Sequence, residues 1–278
     1  MRKFSIALLS ATLAASMVLA GCGNDASSKG ADAQGDGDKA AASAVQAIKD
    51  KGEIVMLTNA SFPPFEYTDA SGEVKGVDVD IANEIAKDLG VELKVVDMDF
   101  DAIPEAVKSG KGDFAAAGMT IREDRLEVVD FSNEYVKSAQ YVVVSVDSDL
   151  AADDAVLSGK TLSCQEGTTG DFYASGDEEI GSSIKDANVL KFKSALEAGM
   201  AVAQGKADAL IVDEMPAKKI VENNSDKLKL LDTPLTEESY AIAMAKGSDL
   251  AEAVNATLKR LADEGKIEQF INTHMGVE

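Results

Sequence analysis

The sequence predicts an α/β fold on two observations. From Glu53 onward short apolar runs alternate with helix-period patterns, and one helix-to-strand junction occurs twice. The junction reads Ala106-Val107-Lys108-Ser109-Gly110-Lys111-Gly112-Asp113 in its first copy and Ala201-Val202-Ala203-Gln204-Gly205-Lys206-Ala207-Asp208 in its second. Each copy is a helix end, a glycine stop and the entry to an apolar strand. Convergent helix-stop chemistry is one explanation of the match. Taken as a repeat, it implies two similar lobes whose echoed strands end at Gly118 and Asp213, and ligands collect at such strand ends in open α/β sheets.

In chain order, residues 53–58 read as a strand. A helix over 77–89 places Ile81, Ile85 and Leu89 on one face, stops at Gly90, and carries Asp78 and Asp80 in its first turn, where the dipole favours acids. Residues 91–96 are strand-like, Ile103, Ala106 and Val107 fit a helix ending at Gly110, and 114–117 is a buried strand. Further strands are expected at 141–146, 161–164, 189–192, 209–212, 229–231 and 240–245. Helices near 195–203, 216–222 and 249–263 separate or follow them.

The 278 residues carry 27 Lys and Arg against 49 Asp and Glu, a net charge of -22, so the basic footprint that nucleic acid requires is missing. Two Cys cannot form a disulfide framework. Arg2 and Lys3 precede an uncharged stretch over 4–20, the pattern of an export signal over residues 1–21. Ser5, Ser10, Thr12 and Ser16 interrupt that stretch and weaken a transmembrane reading. It ends in Leu19-Ala20-Gly21-Cys22, which resembles the lipobox of bacterial lipoproteins, and the resemblance implies an acylated, palmitate-type anchor on Cys22. Residues 22–49 are expected to form the anchor and a flexible tether. The Asp32-to-Asp38 run lacks the spacing and closing Glu of a calcium loop.

The strand ends carry Asn59-Ala60-Ser61-Phe62, Gly118-Met119-Thr120 with Arg125, Gln165-Glu166-Gly167-Thr168-Thr169-Gly170, and Asp213. A cation, an anion, hydroxyls, glycine backbone and an aromatic plate suit a zwitterion: Arg125 for a carboxylate, Asp213 with the Gly118 carbonyl and Thr120 hydroxyl for an ammonium. Locally each residue has a plainer reading. Arg125 could be surface charge, Asp213 a cap for the following helix, the 167–170 run a turn, and Phe62 and Phe100 core.

Over roughly 51–276 the chain resembles the polar amino-acid family of solute-binding proteins that serve bacterial ABC importers. The resemblance rests on Phe62-Pro63-Pro64-Phe65-Glu66-Tyr67, Gly76-Val77-Asp78-Val79-Asp80, Ala117-Gly118-Met119-Thr120-Ile121 with Arg125, Asp130-Phe131-Ser132, Gly167-Thr168-Thr169-Gly170, and Ala207-Asp208-Ala209 leading to Asp213. It implies a two-lobed, periplasmic-binding-protein-like fold of type II, with two open sheets flanked by helices and joined by two crossover strands. Lobe 1 would take 50–138 with 238–278, and lobe 2 139–237. It further implies a ligand site of Asn59, Phe62, Phe100, Gly118, Met119, Thr120, Arg125, Gln165, Thr168, Thr169 and Asp213, with Arg125 on the α-carboxylate and Asp213 on the α-ammonium. Asn59 stands where binders of basic amino acids carry an acid, which favours a polar uncharged or cystine-like ligand. Arg or Lys is the alternative, with Glu66 or Glu166 supplying the acid.

The expected molecule is a monomeric extracytoplasmic binding lipoprotein, handing an amino acid to ABC permease subunits. An enzyme is the first rival reading. Cys164 lies in an apolar strand and the lone His274 in a helix-like tail, with no metal cluster, Ser-His-Asp set or phosphate loop, so no cofactor is expected. A ligand-sensing module for a receptor is the second rival.

Overall fold

Ser43 accepts a hydrogen bond from the Gln46 amide and so caps α1 (Ala44–Lys51), which Gly52 ends in a left-handed turn. The computed structural model describes residues 43–276, so Cys22, the export segment and most of the tether lie outside the described residues. Residues 44–49, expected as tether, are helical, and buried Ile48 ties them to the core.

Lobe 1 continues with β1 (Glu53–Thr58), a small antiparallel meander of β2 (Ser61–Phe62), β3 (Glu66–Thr68) and β4 (Val74–Lys75), then α2 (Val77–Leu89) and β5 (Glu92–Asp97). After a 3-10 turn over Phe100–Ala102 come α3 (Ile103–Lys108), β6 (Phe114–Ala115), α4 (Glu123–Leu126) and β7 (Val129–Phe131). The crossing strand β8 (Val136–Ser138) leads to lobe 2, which holds β9 (Gln140–Ser145), α5 (Asp154–Leu157), β10 (Thr161–Gln165), α6 (Thr169–Ala174), β11 (Asn188–Phe192), α7 (Ala195–Ala203), β12 (Ala209–Asp213), α8 (Glu214–Glu222) and β13 (Leu228–Leu230). The chain returns through β14 (Glu238–Tyr240) to β15 (Ala243–Ala245), α9 (Leu250–Asp263) and α10 (Lys266–Met275).

The two main sheets run β5-β1-β6-β15-β7 and β11-β10-β12-β9-β13. In each the strand after the echoed junction, β6 or β12, stands third. The repeated aspartates do one job twice. The Asp113 amide donates to the Val55 carbonyl while its carboxylate accepts from the Val55 amide, and Asp208 makes the same pair with Thr161. The echo is thus a strand-entry device shared by both lobes. The two crossing strands pair with each other, Val136 opposite Tyr240 and Ser138 opposite Glu238.

Two predicted strands are shorter than their apolar runs. Residues 240–245 divide into β14 and β15, because Ala241 donates to the Met119 carbonyl and Ile242 to the Ser132 hydroxyl as the chain leaves the crossing ribbon for sheet 1. Of 114–117 only the first two residues keep ladder pairing, and Ala116 and Ala117 run on into the left-handed Gly118. The C-terminal helices close over α2: Arg260 pairs with Glu84 and Asp88, while His274 bonds the Tyr67 hydroxyl and the Asp80 carboxylate, a packing role.

Candidate functional site

The carboxyl ends of the sheets face each other across a narrow cavity with about 10 Å³ of free volume, room for little more than one water in this conformation. Its walls are Asn59, Phe62, Glu66, Phe100, Ala117, Gly118, Thr120 and Arg125 from lobe 1, and Gln165, Thr168, Thr169 and Asp213 from lobe 2.

Arg125 sits on the single turn α4 and is only 5% exposed, so the plain surface-charge reading fails. Its Nη1 donates to the Thr120 carbonyl (2.7 Å) and its Nη2 crosses the cleft to the Gly167 carbonyl (3.0 Å). The guanidinium carbon lies 5.2 Å from the centre of the Phe100 ring. Burial, and secondarily the Arg122 charge, lower its pKa to about 10, which leaves it protonated at neutral pH.

Asp213 ends β12 and precedes α8, yet its side chain makes no cap to that helix. It accepts instead from the Tyr240 hydroxyl (2.5 Å) and the Ser138 hydroxyl (3.1 Å), both on crossing strands. Burial first, and the Glu238 charge second, push its carboxyl up to about 7. Glu238 in turn accepts from the Thr120 hydroxyl at 2.6 Å.

Gly118 has φ +53°, and a Cβ there would stand 2.9 Å from the Phe62 ring, so the aromatic plate and the glycine are matched surfaces. The Gly118 amide donates to Asp78 (2.8 Å), which also accepts from the Tyr135 hydroxyl (2.7 Å). The sequence assigns Asp78 to a helix start, and the structure adds that it is fully buried and, by that burial, raised to about 6.

The expected site left out two lining residues, Ala117 and Glu66, and Glu66 is the one with chemistry. It is fully buried, lines the cavity, and finds no donor for either carboxylate oxygen. Burial and the adjacent Asp78 raise its pKa well above the carboxylate range, which favours its protonated form. Glu66 thus lies among acids, with Asp78, Asp213 and Asp97 all raising its pKa.

At the other end of the cavity an amide pair spans the cleft. Gln165 donates from Nε2 to Asn59 Oδ1 (2.9 Å) and to the Lys193 carbonyl (3.2 Å). Asn59 is fixed further by its bond to the Met98 carbonyl and by the Ser61 hydroxyl. Thr168 caps α6, and the Thr169 hydroxyl is buried with no protein partner.

Ten of the eleven expected ligand residues line this cavity. Met119 does not: it is fully buried in the lobe-1 core with Val55, Leu57 and Ile103. Glu166, weighed as a substitute acid, points away to Lys193 at 2.9 Å. Cys164 is buried and its thiol is pushed up by desolvation.

The family model for bacterial extracellular solute-binding proteins, family 3, matches residues 54–277. The ABC transporter glutamine-binding protein GlnH of Bacillus subtilis (strain 168) is 33% identical, with 96% of this chain and 94% of that protein covered. A truncated ArgBP from T. maritima in its arginine-bound form superposes with a TM-score of 0.72 at 39% identity, covering 78% of this chain and 99% of that one. The ancestral amino acid-binding protein AncCDT-1, a precursor of cyclohexadienyl dehydratase, gives 0.76 at 28% identity, covering 84% and 100%. Two α/β lobes of type II architecture, a cleft built at their strand ends and this match over nearly all described residues have one reading: the chain belongs to the bacterial extracellular solute-binding proteins, family 3.

Proposed function

We propose that this protein captures a free amino acid between its lobes and delivers it to an ABC importer, held at the outer face of the membrane by a lipid on Cys22. The observation that carries the reading is the pairing in one enclosed cavity of a buried Arg125 from lobe 1 with a buried Asp213 from lobe 2. Arg125 takes the α-carboxylate, exchanging its carbonyl contacts for a charge-assisted pair. Asp213 and the strand end at Gly118 take the α-ammonium, whose charge draws Asp213 into its ionised form. Phe62 and Phe100 cover the carbon skeleton. Binding traps the ligand without turning it over.

For the side chain, Glu66 changes the balance that Asn59 suggested. A buried carboxyl with no donor partner accepts best from a side chain ending in N–H groups. We therefore place arginine first, in line with the arginine-bound relative, and glutamine second, in line with the Bacillus relative and with the Asn59–Gln165 amide pair. Calorimetric titration of ligand-stripped protein against the common amino acids tests this. L-Arginine should bind tightest and L-glutamine next, and a preference for Asp or Glu would refute the assignment.

A further inference from the structure

Among the described residues, the contacts that Lys193 and Arg122 make across the cleft use no cavity residue. On one side Lys193, just past β11, reaches lobe 1 at Asp101 (3.0 Å) and Asp99 (3.4 Å), while Glu166 of its own lobe holds it at 2.9 Å. On the other side the Arg122 guanidinium of lobe 1 lies 3.6 Å from the centre of the Phe172 ring on α6 of lobe 2. Asp124 fixes that guanidinium with two bonds of 3.0 Å, so its plane is already set to meet the ring. Neither Lys193, Asp99, Asp101, Arg122 nor Phe172 lines the ligand cavity.

We propose that these two rim contacts form a ligand-independent latch, which sets how much of the empty protein is closed and thereby scales its affinity for any ligand of the cleft. In an open form Lys193 keeps Glu166 but loses both aspartates, and Arg122 keeps Asp124 but loses the ring. The contacts therefore differ between the two forms, which is the condition for biasing their equilibrium. Apparent affinity rises in proportion to the closed fraction. The Lys193 cluster is about half exposed, which limits it to roughly a two- to fivefold effect and makes that part salt-sensitive. The Arg122 side chain is only 9% exposed, and its stacking on Phe172 contributes roughly threefold to tenfold.

The latch rests on the two-lobed clamp in the proposed function but not on which amino acid binds. The test compares full-length wild type, Lys193→Gln, Phe172→Leu, the double variant, and the charge swap Lys193→Glu with Asp101→Lys. Solution scattering of ligand-free protein reads compactness, and calorimetry reads affinity for L-arginine and L-glutamine. Each single variant should bind a few-fold more weakly, the double variant roughly tenfold or more, with a larger ligand-free radius of gyration. The swap should recover only part of the Lys193 loss, because Glu166 and Asp99 then face a like charge at that position. Equal radii for ligand-free wild type and double variant overturn the latch whatever the affinities do. Different radii with no binding of either amino acid support the latch and refute the ligand assignment instead.

Discussion

In the proposed clamp Arg125 holds a carboxylate that closure strips of water, so its removal should cost binding heavily. Arg125→Ala is expected to lose about 3 kcal/mol or more, because the ligand's charge is left buried and unpaired. Arg125→Lys should bind poorly too, since a point charge cannot reproduce the guanidinium's bidentate fork on a carboxylate. Calorimetry with a melting curve as the folding control reads both, and a Lys variant within a few-fold of wild type would sink the bidentate role. That Arg125 and Asp213 are buried at one cavity was legible because motifs carried them past their plain local readings. Met119 falls outside the cavity: Gly118 and Thr120 line it, while past the left-handed Gly118 the Met119 side chain packs into the lobe-1 core with Val55 and Leu57. Glu66 was weighed as a possible acid but not placed in the site, because a three-residue strand carries too little periodicity to say which way its side chain points.

At the scale of elements, the sequence showed strands and helices wherever an apolar run was long enough to display a period, as in β1, α2 and α9. It did not show α1, whose first turn reads as tether until the Ser43 cap and the burial of Ile48 are seen. Nor did it show the break between β14 and β15, which tertiary bonds from Ala241 and Ile242 impose on a continuous apolar run. The turn before α6 makes a prediction. At Gly167, φ is +75°, and a Cβ would stand 2.8 Å from the Asp101 Cβ across the cleft. Gly205, at φ +68°, has open space around the same position. Both glycine-to-alanine changes should cost about 1 kcal/mol of stability through the left-handed backbone, but only Gly167→Ala should block closure and weaken binding tenfold or more. Equal binding losses in the two variants would show that backbone strain, not collision between lobes, is responsible.

For the whole molecule, the buried acids tie stability to pH. Asp78 and Asp213 are raised to about 6 and about 7, against about 4 in an unfolded chain, so between those values the folded protein holds protons that the unfolded one has released. Their contribution is fully present below pH 4 and is lost as pH rises through 6 and 7. Asp213→Asn should remove on the order of 2 kcal/mol from the fall in ligand-free stability between pH 5 and 8, read as a flatter melting-temperature profile across that window. An amino acid's ammonium acts in the opposite sense, so wild-type affinity should be higher at pH 8 than at pH 5. An unchanged slope in the Asn variant would show that Asp213 is not the group titrating. A last consequence lies in the place of β15. It enters sheet 1 between β6 and β7, although the whole of lobe 2 separates it from them along the chain. While the polypeptide is being made, the first lobe therefore lacks an inner strand until almost the last residues have left the ribosome. A nascent chain that cannot finish its first lobe early stays loose enough to be threaded through an export channel before it folds.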